Sequence, residues 1–369
     1  MKQISSLELH FLLNELEALK NSRVDNIYSL GKEVLTFQFH KPNEGKLMLK
    51  VLVGKSIFLS ENKEIDESPS NFCQFLRKHL EGKFLLEITQ IEPERILKLI
   101  FKSKEDTIKL FIEFFGSGNV ILCSEDEHIL NASTLHKFKD RDILHKEKYV
   151  YPKSSFNFLN INKSEMSGLF KNSKKDKLVT SLAIELGLGG VYSEEVCIKS
   201  GIDKNTSPKS ITPPYLKQMH SSLKKLISTQ VEPSVVLSGA EIIDSVPFNL
   251  EFYSKFQFRK FKSFSNSLEF YYDSCKQKIK SSVERKAEGI MKIIEQQESA
   301  ISELIEEEKE CRLKAETIYN NYSLIKEIIE ELKKASNTLS WKEIKSKLAG
   351  HKIIKKIDEK YKVVFIEVS

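Results

Sequence analysis

Apolar positions set two rhythms along the first part of the chain. Leu9, Leu12, Leu13, Leu16 and Leu19 recur on one side at helical spacing, which predicts a helix over residues 5–20. Short alternating runs follow at 34–39, 47–53 and 56–59 and read as strands. Helical spacing returns with Phe72, Phe75, Leu76 and Leu80, while Arg77, Lys78 and His79 crowd the last turn, where cations suit the helix dipole. Gly82 then stops the helix. Runs 85–91 and 96–101 read as strands joined through Pro93, followed by strands at 107–115 and 119–123. Helix, strands, helix and strands together predict an α+β domain over residues 1–170.

The pattern changes after that. Residues 157–177 are polar and lysine-rich, with Lys171, Lys174, Lys175 and Lys177, and read as a linker. A helical unit is expected over 178–228, interrupted by Gly187, Gly189 and Gly190 and by the Pro213–Pro214 pair. Residues 233–262 look strand-like, and pattern alone leaves open whether they pack on this unit or on the first domain. Within them, strand alternation puts Phe252, Phe256 and Phe258 on one face and Lys255, Gln257 and Arg259 on the other. The helical unit and its strand-rich tail make a middle domain over 171–264.

From Val283 the apolar positions alternate at spacings of four and three: Ala287, Ile290, Ile294, Ile301, Leu304, Cys311, Ala315, Ile318, Tyr322, Ile325, Ile329 and Leu332, with Gln297 and Glu308 as polar exceptions. That is a heptad seam, and it predicts a coiled-coil arm over 265–335. A helix of that length reaches on the order of 75 Å at about 1.5 Å per residue. Residues 336–369 should hold a short helix with Trp341 and a strand opening at Tyr361 and running toward Val368.

Composition narrows the function. Of 369 residues, 40% are hydrophobic and 30% charged, and no apolar run approaches the length of a membrane span. Glu8 and Glu15 interrupt the apolar start, which is not the layout of a signal peptide. Five cysteines without paired short spacing point to a reducing cytosol rather than to a disulfide framework or zinc ribbon. The formal charge of +6 permits a polyanionic partner without requiring one. The chain has no G-x-x-x-x-G-K, H-E-x-x-H or G-x-S-x-G word, and its eight histidines are scattered. No catalytic residue, metal set or cofactor is expected.

Three places carry candidate chemistry. Ser5-Ser6-Leu7-Glu8 fits a capping box, which alone would account for Glu8. Glu94-Arg95 sits at the turn between two strands. It is either an exposed ion pair of small energy or an arginine fork for phosphate or a base edge, with the carboxylate orienting it. Gly187, Gly189 and Gly190 separate two helical segments and would let backbone approach a phosphate, although Glu194 and Glu195 are expected in the next helix's first turn and would repel it.

Several words of the chain together resemble a known family: SSLEL, RVDNIYSLGKEVLTFQF, FCQFLRKHLEGKFLLEITQIEPERILKLIF, FFGSGNVILCSEDEHIL, RDILHKEKYVYP and LGLGGVYSEEVC, in family order up to Cys197. The family is the NFACT proteins of ribosome quality control (the RqcH group, once called fibronectin-binding proteins). The resemblance implies a cytoplasmic, non-enzymatic factor that binds the large ribosomal subunit carrying obstructed peptidyl-tRNA. It further implies that the factor recruits charged tRNA, alanyl-tRNA in prokaryotic members, for untemplated tailing of the nascent chain. Glu8, Glu94 and Arg95 would hold tRNA, with glutamates where the family usually has aspartates. Relatives continue with a return helix and a C-terminal NFACT-R domain, so the chain reads as an N-terminal portion. The Gly187–Gly190 segment resembles a helix-hairpin-helix element, and also the glycine-rich word of formamidopyrimidine-type DNA glycosylases. A glycosylase is the first alternative, although Lys2 stands where those enzymes expose a proline amine and no cysteine quartet exists. A fibronectin-binding adhesin is the second, without the signal peptide it would need.

Overall fold

The computed structural model describes residues 1–62, 68–138, 141–152 and 156–367, without the side chains of 277–288. They divide into two compact units, Met1–Lys278 and Ile279–Ser369.

The first unit opens with α1, Ser6–Leu16, extended by a 3-10 turn over Glu17–Leu19. Nine strands follow in one antiparallel sheet among the described residues: β1 (Arg23–Leu30), β2 (Val34–Lys41), β3 (Gly45–Leu52), β4 (Ser56–Ser60), β5 (Phe84–Gln90), β6 (Ile96–Lys102), β7 (Thr107–Glu113), β8 (Asn119–Ser124) and β9 (Ile129–Ala132). The order is β4-β3-β2-β1-β5-β6-β7-β8-β9. Each strand therefore neighbours its predecessor except at the β1–β5 seam. There the ladder registers only Arg23 against Phe84, and α2 (Asn71–Leu80) makes the connection between β4 and β5. A two-stranded ribbon, β10 (His136–Lys137) with β11 (Asp142–Ile143), follows the sheet. The α+β reading of this region holds. β1 is absent from the strands read in the sequence, because Asp25 and Asn26 break its alternation at a bulge between Val24 and Asn26.

The linker expected over 157–177 is corrected. It contains α3, Lys163–Asn172, started by an Asn162–Glu165 capping box and buried through Met166, Leu169 and Phe170. These three sit at i, i+3 and i+4 in otherwise polar text, a stripe just wide enough for a core-facing helix. Next come the single turn α4 (Leu178–Thr180) running into a π turn over Ser181–Glu185, then α5 (Gly190–Ser200) and α6 (Pro213–Ile227). The strands β12 (Ser234–Ser238), β13 (Glu241–Val246) and β14 (Gln257–Lys260) form a separate sheet in the order β13-β12-β14. The strand expected through 252–261 is shorter than its alternation suggested. Glu251–Tyr253 form a 3-10 turn, because the buried Glu195 carboxylate accepts from the Glu251 and Phe252 amides at 3.1 and 2.9 Å.

Two hydrophobic cores meet at α1. Leu9, Leu12 and Leu16 face the sheet core, while Leu7 and Phe11 face a second core built from α3, α5, α6, Val236 and Val246. Each fully buried leucine of this kind contributes about 1.5–3 kcal/mol. The 233–262 segment thus joins the helical core, with Ile242 touching the sheet core. α7, Phe264–Asn320, begins inside the first unit: Phe264, Leu268, Tyr271 and Tyr272 are buried in the sheet core. Its first turns are therefore packing elements, where the seam reading placed an arm from residue 265. Residues 1–170 and 171–264 fold together with these turns as one compact unit.

In the second unit the heptad helix is broken. α7 ends at Asn320 and α8 runs Tyr322–Ser336, with Asn321 between them at φ −105 and ψ 19. The seam positions Val283 and Ala287 lie outside the described side chains; Ile290, Ile294, Ile301, Leu304 and Ile318 are exposed. In α8 only Leu332 of the three seam positions 325, 329 and 332 joins the packed cluster. There Ile328, Leu332 and Ala335 pack against Ile344, Ile354 and Ile357 of α9 (Trp341–Lys347) and the β15 (Ile354–Asp358)–β16 (Val363–Ile366) hairpin, and Ile329 is exposed. The hairpin sets the packing face of α8. Val368 lies outside the described residues.

Candidate functional site

The residues singled out in the sequence converge on one cleft of about 920 Å³ in the first unit. Its lining includes Glu8, Glu94 and Arg95, all three loop glycines, and Lys174 and Lys175 of the α3–α4 connection.

Local folding explains the convergence. The Ser5 side chain caps α1 by accepting from the Glu8 amide, and Glu8 closes the box by accepting from the Ser5 amide at 2.8 Å. The neighbouring Ser6 hydroxyl donates to the Pro93 carbonyl, tying the β5–β6 turn to the helix start. Gln90 finishes the strap: its Nε2 donates to Ser6 Oγ at 2.8 Å and to the carbonyls of Ser6 and Glu94 at 3.0 Å each. The α1 N-terminus thus holds both Glu8 and the Glu94–Arg95 turn, although they are far apart in sequence.

Glu8 does more than cap. Its side chain is buried, and Oε1 accepts from Lys2 Nζ at 2.7 Å and from the Tyr192 hydroxyl at 3.0 Å. Lys2 Nζ also pairs with Asp244 Oδ1 of β13 at 2.6 Å and donates to the Ser245 carbonyl. Asp244 Oδ2 accepts from the Tyr253 hydroxyl at 2.7 Å. One ammonium between two buried carboxylates leaves the cluster with net negative charge, tempered by the two phenols. Burial opposes the Lys2 charge, but Asp244 and Glu8 outweigh it and its pKa is raised. Burial, then the Glu8 and Asp244 carboxylates, push Tyr192 well above the ordinary phenol range. Glu8 is therefore a floor residue whose two oxygens are engaged by protein donors.

Glu94 and Arg95 are each about half buried. Burial raises the Glu94 carboxyl against the pull of Arg95, and burial lowers the Arg95 guanidinium against the pull of Glu94. Among the described residues the two form no ion pair, so the carboxylate does not orient the fork. The Arg95 carbonyl accepts from the Phe114 amide at 2.9 Å, and its Nη1 donates to Gln3 Oε1 at 3.3 Å.

The opposite wall is the glycine loop. Gly187 and Gly189 have φ of +78 and +81, conformations that disfavour a side chain, and a Cβ there would meet open space. α5 starts at Gly190, so Glu194 and Glu195 fall in its second turn, a correction to the first-turn placement expected. Glu194 pairs with Lys204 at 2.8 Å and Glu195 with Lys199 at 3.2 Å, and neither faces the loop as a free charge. Glu185 anchors the lysine segment, accepting from Ser173 and Ser181 hydroxyls and from the Lys174 amide at 2.6, 2.7 and 3.0 Å. These bonds outweigh burial and hold its carboxyl below the usual range. Lys174, Lys175 and Arg95 line the cleft and make no ion pair among the described residues, and the carboxylates of Glu94 and Glu185 line it likewise.

Sequence reasoning missed four participants: Lys2, Gln3, Tyr192 and Asp244. Tyr192 lies inside the LGLGGVYSEEVC word, which was the available signal. No group of His, Cys, Asp and Glu among the described residues is arranged to hold a metal ion, and no helix is long and apolar enough to cross a membrane.

Comparison with known proteins agrees with this architecture. The chain is 26% identical over 369 aligned residues to the archaeal Rqc2 homolog aRqcH of Methanocaldococcus jannaschii, covering 95% of this chain and 55% of that protein. It is 40% identical over 135 residues to ribosome quality control complex subunit 2 of Saccharomyces cerevisiae, covering 35% of this chain and 13% of that protein. The chain thus spans about half or less of the length of these relatives. Among solved structures, the N-terminal part of the fibronectin/fibrinogen-binding protein from Streptococcus suis superposes with a TM-score of 0.59 at 20% identity, over 74% of this chain and 100% of that one. A family model described as NFACT N-terminal and middle domains matches residues 5–364, and the chain belongs to that family.

Proposed function

We propose that this chain is the tRNA-binding portion of a non-enzymatic, cytoplasmic ribosome quality control factor. It would engage the large ribosomal subunit carrying obstructed peptidyl-tRNA and recruit charged tRNA, alanyl-tRNA by the family resemblance, for untemplated tailing. The observation that carries the reading is the gathering of Glu8, Glu94–Arg95 and the Gly187–Gly190 loop on one cleft with three cations outside any ion pair. Such cations suit a phosphate backbone, and an arginine fork suits a phosphate or a base edge. The names of the archaeal and yeast relatives, an Rqc2 homolog and a ribosome quality control subunit, support the cellular setting. The exposed stripe on α7 is read as the seam of a coiled-coil arm reaching across the subunit.

The test is co-sedimentation with free large subunits, followed by sequencing of the bound tRNA. Enrichment on subunits, with tRNA lost on Arg95→Ala, is the expected result. No enrichment, and tRNA recovery indifferent to Arg95, would overturn the proposal.

A further inference from the structure

We infer that Gln3 is the positioning residue that sets which edge of Arg95 faces the cleft. The inference rests on the tRNA reading of that cleft and goes one step further, to how the arginine is presented. Gln3 Nε2 donates to the carbonyls of Gly54 and Gly116 at 2.8 and 2.7 Å. The reverse orientation would set the amide oxygen against two carbonyl oxygens, so Oε1 must point the other way. There it accepts from Arg95 Nη1 at 3.3 Å.

The carbonyls that orient Gln3 are themselves fixed. The β3–β4 and β7–β8 corners touch through backbone: a Cβ on Gly54 would lie 2.3 Å from the Ser117 carbonyl oxygen, and one on Gly118 would lie 2.1 Å from the Gly54 Cα. The Phe114 amide, at the same β7–β8 corner, holds the Arg95 carbonyl at 2.9 Å. Backbone and guanidinium of Arg95 are thus both referenced to one rigid corner. With Nη1 engaged, and no other hydrogen bond or ion pair at the Arg95 guanidinium among the described residues, the Nε–Nη2 edge is left free. That edge presents two parallel donors, and it fits a two-acceptor group of RNA: a phosphate or the O6/N7 edge of guanine.

The experiment is a double-mutant cycle on the 369-residue chain, read as the dissociation constant for a fluorescein-labelled tRNA transcript by anisotropy. Gln3→Met removes the amide at similar length and should weaken binding about 3- to 10-fold, the worth of one positioning hydrogen bond. Arg95→Ala should weaken it by about 10-fold or more. In the Arg95→Ala background, Gln3→Met should add less than about 2-fold. A Gln3→Met loss that persists undiminished without Arg95 makes Gln3 merely structural and overturns the inference. No loss in Gln3→Met beside a clear loss in Arg95→Ala also overturns it and leaves the tRNA reading standing. No loss in Arg95→Ala overturns the tRNA reading itself.

Gln3→Lys is the second variant. It keeps a donor for the two carbonyls and removes the acceptor. Binding should weaken despite the added cation; unchanged or tighter binding contradicts the inference. Salt titration separates the two acceptors. A phosphate contact predicts that Arg95→Ala lowers the salt slope by about one. A guanine contact predicts an unchanged slope and lost discrimination against 7-deazaguanine transcripts.

Discussion

Tyr192 donates to Glu8 Oε1 at 3.0 Å, and this bond ties α5 behind the glycine loop to the start of α1. Glu8 in turn holds Lys2, and Lys2 holds Asp244 on β13. The two walls of the cleft are therefore connected through a buried polar chain beneath it. Its side chains all find partners, and removing any one strands a buried polar or charged group, so each member should be sensitive.

Tyr192→Phe deletes one donor to a buried carboxylate without changing the ring. The expected loss is about 1.5–3 kcal/mol of folding stability, the range for a hydrogen bond to a charged group. Urea unfolding measures it; an unchanged midpoint would mean that Glu8 finds another donor.

Lys2→Met leaves Glu8 and Asp244 buried without their shared cation. Removing one partner of a buried pair costs about 3–5 kcal/mol. Combining it with Asp244→Asn should recover part of that loss, because one of the two stranded charges is gone. Strictly additive losses in the double variant would show that the three groups do not act as a unit.

Gly118→Ala should be far worse than Gly31→Ala. Both glycines have positive φ, so each substitution carries left-handed strain of about 1–2 kcal/mol. Nothing lies within 4 Å of a Cβ at Gly31, whereas at Gly118 it would meet the Gly54 backbone at 2.1 Å. Thermal unfolding of the two variants compares them directly, and equal shifts would contradict the close approach of the two corners.

Alkaline pH should loosen the first unit. Lys2 and Tyr192 both have pKa values raised above the ordinary 10.5 and 10.0. Stability from such groups is fully present below those ordinary values and is lost as pH climbs through the raised ones. Tyrosinate absorbance should therefore lag in native protein relative to protein in denaturant above about pH 10. It should then rise together with loss of structure. Coincident native and denatured titrations would contradict the buried phenols.

Local signals in the sequence were reliable where the structure is local. Ser5–Glu8 forms the capping box its spacing announces, while α2 is left at the extended Glu81 and Gly82, at φ +83, shapes the turn that follows. The convergence of Glu8, Arg95 and the glycine loop was not legible from spacing, because it depends on Ser6 and Gln90 strapping one turn onto one helix end. Polar text hid α3, whose burial rests on Met166, Leu169 and Phe170 alone. The overlong strand at 252–261 failed for a long-range reason, the Glu195 carboxylate reaching across to the Glu251 and Phe252 amides. In α8 the packed face takes in Ile328 and Ala335 beside the seam position Leu332, because a neighbouring hairpin packs there.

The central claim is that tRNA occupies the cleft between the Glu94–Arg95 turn and the Gly187–Gly190 loop. Ultraviolet cross-linking of bound tRNA, followed by peptide mass spectrometry, tests it most directly. The account predicts cross-links on peptides carrying Arg95, Lys174–Lys175 and Gly187–Tyr192, diminished by Arg95→Ala. Cross-links confined to the β15–β16 hairpin or the outer strands of the sheet, and unchanged by Arg95→Ala, would contradict it.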